Sequence, residues 1–468
     1  MNHSQPSAEK WYDGITRYQW LVLLIASLGW VFDVFEGQIF VASMKEAMPS
    51  LVPAETEPGA IALYNNIALG AFLLGGALGG IVFGMLSDRI GRKKTMSLTI
   101  LMYSLFTCVS AFSQEWWHLA GLRFLVALGV GGEWAVASAM VAEVFPRRAR
   151  AHVGGIFHAS SVLGTYLAVA AGAFIIGNTA IQQWAVDQQG TWISQFVDPL
   201  SLPWRIGFAI GVFPSLLIIW IRASLVEPES WQAARQRAAE DKTLAMGTIT
   251  ELFGGKLLSR TLIGVTLAAV GLATFWGAHI YGKNVLVQAV ERRAAEQQAS
   301  ASETVVSEDH AADLKQWEML GMFLVTTGGG LGLLSFGPIS ERIGRRAAFN
   351  FFHLGGLVSS LVMFQFLKDV PAVLIAAPIF GFLSLGMHAG YAIYFPELYL
   401  TRLRGTGTGF CFNAGRILAA PILFISGWMQ KDWGYTLNDS ASLLSLLFLV
   451  GLVALIAAPE TRGQELPE

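Results

Sequence analysis

Asp33 and Glu36 stand three residues apart inside an apolar run near 18–44 of a 468-residue chain. At that spacing two carboxyls share one face of a helix. Arg123, Glu133 and Arg416, with Asn413 close before it, also interrupt apolar runs. A charge in hydrocarbon costs several kcal/mol unless it is paired or faces water, so such charges mark ion or substrate paths. A buried carboxyl beside a guanidinium can take up and release a proton, and a planar, permanently charged fork suits a carboxylate ligand. His158, His279 and His388 fall inside apolar runs too. A lone histidine there is more often a hydrogen-bonded packing residue than a ligand. His279 and Lys283, at i and i+4, share a face. No His/Cys/Asp/Glu spacing fits a metal site, no catalytic triad stands out, and Gly-x4-Gly-Lys-Ser/Thr is absent. Neither an enzyme, nor a metal, nor a cofactor, nor ATP coupling is expected. Cys108 and Cys411 both lie in apolar runs, which argues against a disulfide framework.

The elements that hold these residues are read from composition. Apolar residues make up 54% of the chain and charged ones 14%, against about 25% charge in soluble domains. A bilayer core of ~30 Å takes about 20 apolar residues as helix. Runs of that kind fall near 18–44, 62–86, 95–113, 117–142, 152–177 and 204–225, then near 259–283, 317–340, 347–367, 371–395, 405–427 and 437–458. The expectation is an all-α membrane protein of twelve transmembrane helices in two six-helix halves. The halves are 1–225 and 259–468, joined by a polar linker over 226–258. The first seventeen residues of the chain are polar, and the apolar run that follows them is too long for a signal-peptide core. The 50 glycines, many within the spans, let helix backbones approach closely in lipid. A net charge of −2 gives no hint of nucleic acid.

Lys and Arg gather on one side of this topology: Lys10 and Arg17, then Arg89, Arg92, Lys93 and Lys94, then Arg147, Arg148 and Arg150, then the linker, then Arg342, Arg345, Arg346, Arg402 and Arg404. That side should be cytoplasmic, with both termini inside a plasma (inner) membrane. The segment 284–316, polar and poor in aromatics, reads as a mobile external loop.

Depth follows from a rise of 1.5 Å per residue. Arg123 lies ~30 Å from the basic end of its span and Asp33 ~22 Å up the first, so the two could meet. Such a pair is either a proton site or a static ion pair that fixes packing. Glu133, ~15 Å deep, is a second proton site or satisfies a polar neighbour. Arg416, ~18 Å deep, either meets a substrate carboxylate or pairs with Glu133 or another acid.

The chain also repeats itself. Gly84-x3-Asp88-Arg89-Ile90-Gly91-Arg92-Lys93 returns as Gly337-x3-Glu341-Arg342-Ile343-Gly344-Arg345-Arg346. Glu143 with Arg150 returns as Glu397 with Arg404, and Pro228-Glu229-Ser230 as Pro459-Glu460-Thr461. Three motifs in one order fit a duplicated six-helix unit. Gly91 would permit a tight turn, and Asp88 could accept hydrogen bonds from an Arg or a helix N-terminus. Either these clusters tie the halves together or they only enforce topology.

Over nearly its whole length the sequence resembles the major facilitator superfamily, in the loop GMLSDRIGRKK, the E-x6-R pairs and the closing PETRG. Gly129-Val130-Gly131-Gly132-Glu133-Trp134 and Phe395-Pro396-Glu397-Leu398 lean towards the sialate and organic-acid symporters. The resemblance implies alternating access around a central site. It makes Asp33, with Glu36 and Glu133 beside it, the proton carrier and Arg123 its counter-ion. Arg416, Asn413, His158 and His279 are then substrate contacts. Gating falls to Asp88, Arg89, Arg92, Glu143 and Arg150, and to Glu341, Arg342, Arg345, Glu397 and Arg404. Sugar porters carry glutamines where this chain has Phe157-His158 and Thr274-Phe275-Trp276. That departure favours an anion over a sugar. The expected function is proton-coupled symport of a small organic anion by a monomer in the bilayer. Sugar:proton symport, an uncoupled facilitator and a transporter-like sensor stand as alternatives.

Overall fold

A computed structural model describes residues 10–300 and 309–468. Among the described residues every regular element is helical. Eleven helices are long and apolar enough to cross a bilayer. We number the spans one (Arg17–Ala47), two (Leu63–Ile90), four (Trp116–Val144), five (Arg147–Ile176), six (Pro199–Ile221), seven (Gly255–Glu296), eight (Gln316–Ile343), nine (Arg345–Phe366), ten (Val370–Leu398), eleven (Thr401–Lys431) and twelve (Leu437–Ala457). Span three is the helix Arg92–Ser110, whose three basic residues at the start keep it below the others in apolarity. The polar linker holds a helix of its own, Glu229–Glu240.

Local chemistry sets the ends and breaks. Thr16 caps span one with a reciprocal Gln19 bond. Span two ends at Gly91, φ 109°, and the chain turns at once into span three; Gly344, φ 98°, repeats this between spans eight and nine. Positive φ is cheap only for glycine, which is why both copies of the motif carry one there. Span seven breaks at Gly277, passes through a short turn at His279–Tyr281 and resumes as Gly282–Ser300.

That last helix corrects one expectation. Residues 284–300 are not loop but a continuation of span seven, with Val285, Leu286 and Ala289 buried against Val325 and Phe380. The missing aromatics were read as loop, yet an apolar residue every three to four positions is enough to bury one helical face. Residues 301–308 of that expected loop lie outside the described residues.

Span two is the pivot of the packing. A Cβ at Gly75 or Gly79 would collide with the carbonyls of Phe124 and Leu128 on span four. On its other face, Gly76 and Gly80 lie against Arg416 and Asn413 of span eleven. The Gly-Gly-x-x-Gly-Gly stretch therefore lets one helix press its backbone against both halves. Spans two and eleven, and spans five and eight, form the most extensive contacts between the halves. The described N-terminal residues and the C-terminus reach the same basic face: Arg148 donates to the carbonyl of Asp13, and Arg404 Nη2 to that of Pro467 at 2.8 Å.

Candidate functional site

Two groups of charges are buried in the bundle, one deep between the halves and one at its basic end. The deep group is built by spans one, three, four and eleven. Asp33 and Glu36 are fully buried, and none of their four carboxyl oxygens has a hydrogen-bond partner. Glu133 accepts a 2.5 Å bond from Thr99 through Oε2, while Oε1 is unpartnered and faces Gly29, where a Cβ would come within 2.6 Å. The hydroxyls of Tyr103, Ser104 and Thr107 on span three are buried without partners. Buried polar groups are ordinarily hydrogen-bonded, so this concentration of unmet ones marks the place as the candidate site.

Arg123 does not pair with Asp33. Its Nη2 donates to the backbone carbonyl of Glu36 at 3.0 Å, and its guanidinium lies 4.5 Å and 4.9 Å from the rings of Phe72 and Phe40. Nε and Nη1 are buried and unpartnered. The carboxylate charge acting on Arg123 is that of Glu36. Rise per residue fixes how far along a helix a side chain sits but not its direction around the axis. Asp33 lies instead in the fields of Glu133, Arg416 and Glu36.

The side chain of Arg416 makes no hydrogen bond or ion pair with any described residue. It lies against the backbone of span two at Gly76, its guanidinium 5.4 Å from the ring of Phe412. The carboxylate charge that acts on it is that of Asp33; pairing with Glu133 does not occur. Asn413 spends its amide nitrogen on the carbonyl of Gly409 at 2.8 Å, leaving Oδ1 buried and unmet beside Gly80.

The histidines are more committed. His158 Nδ1 accepts from Trp134 Nε1 at 3.1 Å, and the His158 carbonyl accepts from Trp30. His279 Nδ1 bonds Ser384 Oγ at 2.7 Å between the rings of Phe275 and Phe380. His388 Nε2 meets the carbonyl of Gly271 at 3.2 Å. His279 does not join Lys283, which pairs with Glu318 at 2.6 Å. Trp134 stacks on Phe412 at 4.1 Å, joining span four to span eleven directly below Arg416's own stack.

At the basic end the gating candidates come together. Asp88 accepts from Arg92 Nη1 at 2.8 Å, from the backbone N–H groups of Gly405 and Thr406 at 3.0 and 2.8 Å, and from Thr406 Oγ1 at 2.6 Å. It thus caps the N-terminus of span eleven, where backbone N–H groups lack helical partners. Arg92 also grips Glu143 through two nitrogens, at 3.1 and 2.8 Å, and the Thr401 carbonyl at 3.1 Å. Glu143 Oε1 takes Arg404 Nη1 at 2.8 Å, closing a bridge between the halves. Arg89 reaches the linker carbonyls of Met246 and Gly247.

In the second copy, Arg345 pairs with Glu341 at 2.8 Å and Glu397 at 3.1 Å, and Thr461 Oγ1 donates to Glu397 at 2.5 Å. Arg150 turns inward to the Ala142 carbonyl, and Arg342 is exposed without a partner among the described residues.

Several residues of the site were not legible beforehand. Glu227, not Glu229, caps span three through the N–H groups of Arg92 and Lys93, as Glu460 caps span nine through Arg345 and Arg346. The repeat of Pro-Glu pointed to Glu229, whereas the acid that does the capping precedes the proline. Thr99 and Thr406 carry no motif at all.

A bundle of membrane-length helices with ionisable groups buried among them is the frame of a multi-pass membrane protein. The sequence profile of the Major Facilitator Superfamily matches residues 26–421, and the chain belongs to that family. It is 27% identical to the sialic acid transporter NanX of Escherichia coli, over 96% of each chain. It is 26% identical to the niacin transporter NiaP of Acinetobacter baylyi, over 97% of this chain and 96% of that one. Its fold is similar to that of the proton:xylose symporter XylE, with a TM-score of 0.70 at 16% identity over 96% of this chain and 98% of that one.

Proposed function

We propose that the protein carries a small organic anion across the bilayer together with a proton, by alternating access. The observation that carries this reading is Arg416, a half-buried guanidinium between the halves whose side chain has no partner among the described residues. A forked cation in that position fits a carboxylate. The relatives named for sialic acid and niacin, both carboxylic acids, agree with it.

The coupling follows from which charges face each other. While Asp33 is ionised it occupies the field of Arg416, and Glu133 and Glu36 add negative charge nearby. An incoming anion then meets a pocket already balanced. Protonation of Asp33 frees Arg416, and the anion takes its place. The carboxyls titrate as a coupled set in which Asp33 and Glu36 carry the proton and Glu133 adds charge beside them. The bridge at the basic end holds the halves together on one side while the substrate loads from the other. In this reading the basic face is cytoplasmic, the protein works as a monomer in the inner membrane, and the proton gradient supplies the energy.

The test is uptake of labelled monocarboxylates, sialate and hexoses into proteoliposomes, with and without a pH gradient. An anion should accumulate only with the gradient, and its affinity should fall as pH rises. Arg416→Lys should weaken its binding roughly tenfold or more, since a hydrogen bond to a charged group is worth about 1.5–3 kcal/mol. Asp33→Asn with Glu36→Gln should bind substrate independently of pH and lose gradient-driven accumulation. Accumulation that survives the double change, or hexose uptake untouched by Arg416→Lys, rejects the reading.

A further inference from the structure

On the basic face, span three, the end of span six and the linker helix Glu229–Glu240 enclose a groove of about 1140 Å³. Its upper rim carries Lys93, Lys94 and Arg235. One carboxylate, Glu227, stands among them, and its Oε2 is committed to the N–H groups of Arg92 and Lys93. Lys94 and Arg235 are exposed and have no carboxylate partner among the described residues, although Arg235 lies 5.2 Å over the ring of Trp231. The lower wall is Leu98, Leu101 and Ile218, from the outer faces of spans three and six, with Leu98 and Leu101 exposed. A cationic rim beside an aliphatic wall on the outer faces of two membrane-length helices matches the profile of one molecule, a phospholipid with an anionic head.

We propose that this groove seats an anionic phospholipid. Its phosphate lies on Lys94 and Arg235, and its acyl chains run down Leu98, Leu101 and Ile218. The seat is wired to the bridge between the halves. Trp231 forms the groove's inner wall and donates its indole N–H to the backbone carbonyl of Asp88 at 2.7 Å. Glu227, at the other edge, caps the span that carries Arg92. A lipid that holds the linker helix against span three therefore holds the frame in which Asp88 and Arg92 meet span eleven. This inference does not depend on what the transporter carries.

The experiment is native mass spectrometry of the full-length transporter in detergent, titrated with phosphatidylglycerol and, separately, with phosphatidylcholine of the same chains. The wild type should retain one phosphatidylglycerol in preference to phosphatidylcholine. Lys94→Gln with Arg235→Gln removes two charges, each worth about 1 kcal/mol near a membrane surface. The double variant should lose roughly tenfold or more in affinity for phosphatidylglycerol and none for phosphatidylcholine. Both side chains are exposed, and an unchanged thermal unfolding midpoint confirms that the variant folds. Glycerol phosphate at millimolar concentration should fail to displace the lipid, because the chains contribute. Equal affinity of wild type and variant, equal retention of the two lipids, or displacement by glycerol phosphate alone overturns the proposal.

Discussion

The two copies of the Gly-x3-Asp/Glu-Arg-Ile-Gly-Arg motif occupy equivalent turns, yet they close differently. In the first copy the acid is Asp88, fully buried, and three of its four hydrogen bonds come from span eleven in the other half. In the second the acid is Glu341, 26% exposed, and its partner is Arg345 in its own half. The outer acids diverge in the same way. Glu143 receives Arg404 from across the interface, whereas Glu397 is held by Arg345 and Thr461 beside it, and Arg150 stays with Ala142.

The reason lies in what each acid faces. Arg404 is followed by Gly405 and Thr406, while its counterpart Arg150 is followed by Ala151 and His152. At Gly405 a Cβ would overlap Ser87 Oγ and come within 2.8 Å of the Gly84 carbonyl, so only glycine lets span eleven's first N–H groups reach Asp88. Ala151 carries that Cβ. Thr406 adds a hydroxyl donor to Asp88, and His152 has none to offer; its ring stacks instead on Trp11 at 4.8 Å. Two similar motifs thus differ in role through two residues at a helix N-terminus, which make one an interdomain bridge and leave the other internal.

The largest break in this comparison should come from Asp88→Asn. It leaves Arg92 buried with one acid fewer and strips span eleven of its charged cap. Truncating one partner of a buried, hydrogen-bonded charge pair costs about 2–5 kcal/mol. Spin labels at Leu98 and Phe351, on the exposed faces of spans three and nine, report the separation of the basic ends. Asp88→Asn should shift most of that distance distribution to longer values and cut transport by at least tenfold, with the helical content retained. A distribution unchanged from the wild type would show that Glu143 and Arg404 hold the halves alone.

Gly405→Ala asks the same question through shape instead of charge. The added methyl meets Ser87 and the backbone of span two, and overpacking of this kind costs about 1–3 kcal/mol. The shift in the label distances should have the same sign as that of Asp88→Asn but be smaller. No shift would mean that the close approach is incidental to the bridge.

How far the sequence reached follows the same logic of distance along the chain. Apolar run length located the spans, because a bilayer imposes its thickness on any helix that crosses it. The repeat identified Asp88, Arg92, Glu143 and Arg404, because each sits at the end of a span whose position was already known. What failed was rotation about a helix axis. Asp33 and Glu36 share a broad face, yet Asp33 lies in the field of Arg416 while it is the backbone carbonyl of Glu36 that accepts from Arg123. Nor did composition reveal Thr99, Thr406 or Glu227, whose roles come from the single neighbour that folding brings to each. The polar stretch 284–300 was misread because its aromatics are few, although its aliphatic residues keep a helical period.

The smallest effect should be that of Glu341→Gln, and its smallness is what makes it informative. By sequence it is the twin of Asp88→Asn: the same motif position, the same loss of one negative charge, the same arginine four residues on. By structure it removes one partly exposed bond at 2.8 Å from an arginine that keeps two contacts to Glu397. Partly exposed ion pairs contribute about 0–1 kcal/mol. The label distances between Leu98 and Phe351 should therefore stay at their wild-type values, and transport should fall by less than threefold. Should Glu341→Gln open the basic face as far as Asp88→Asn does, the two motifs would be functionally equal. The asymmetry seen here would then belong to one state of the cycle, with Glu341 crossing to span five in another.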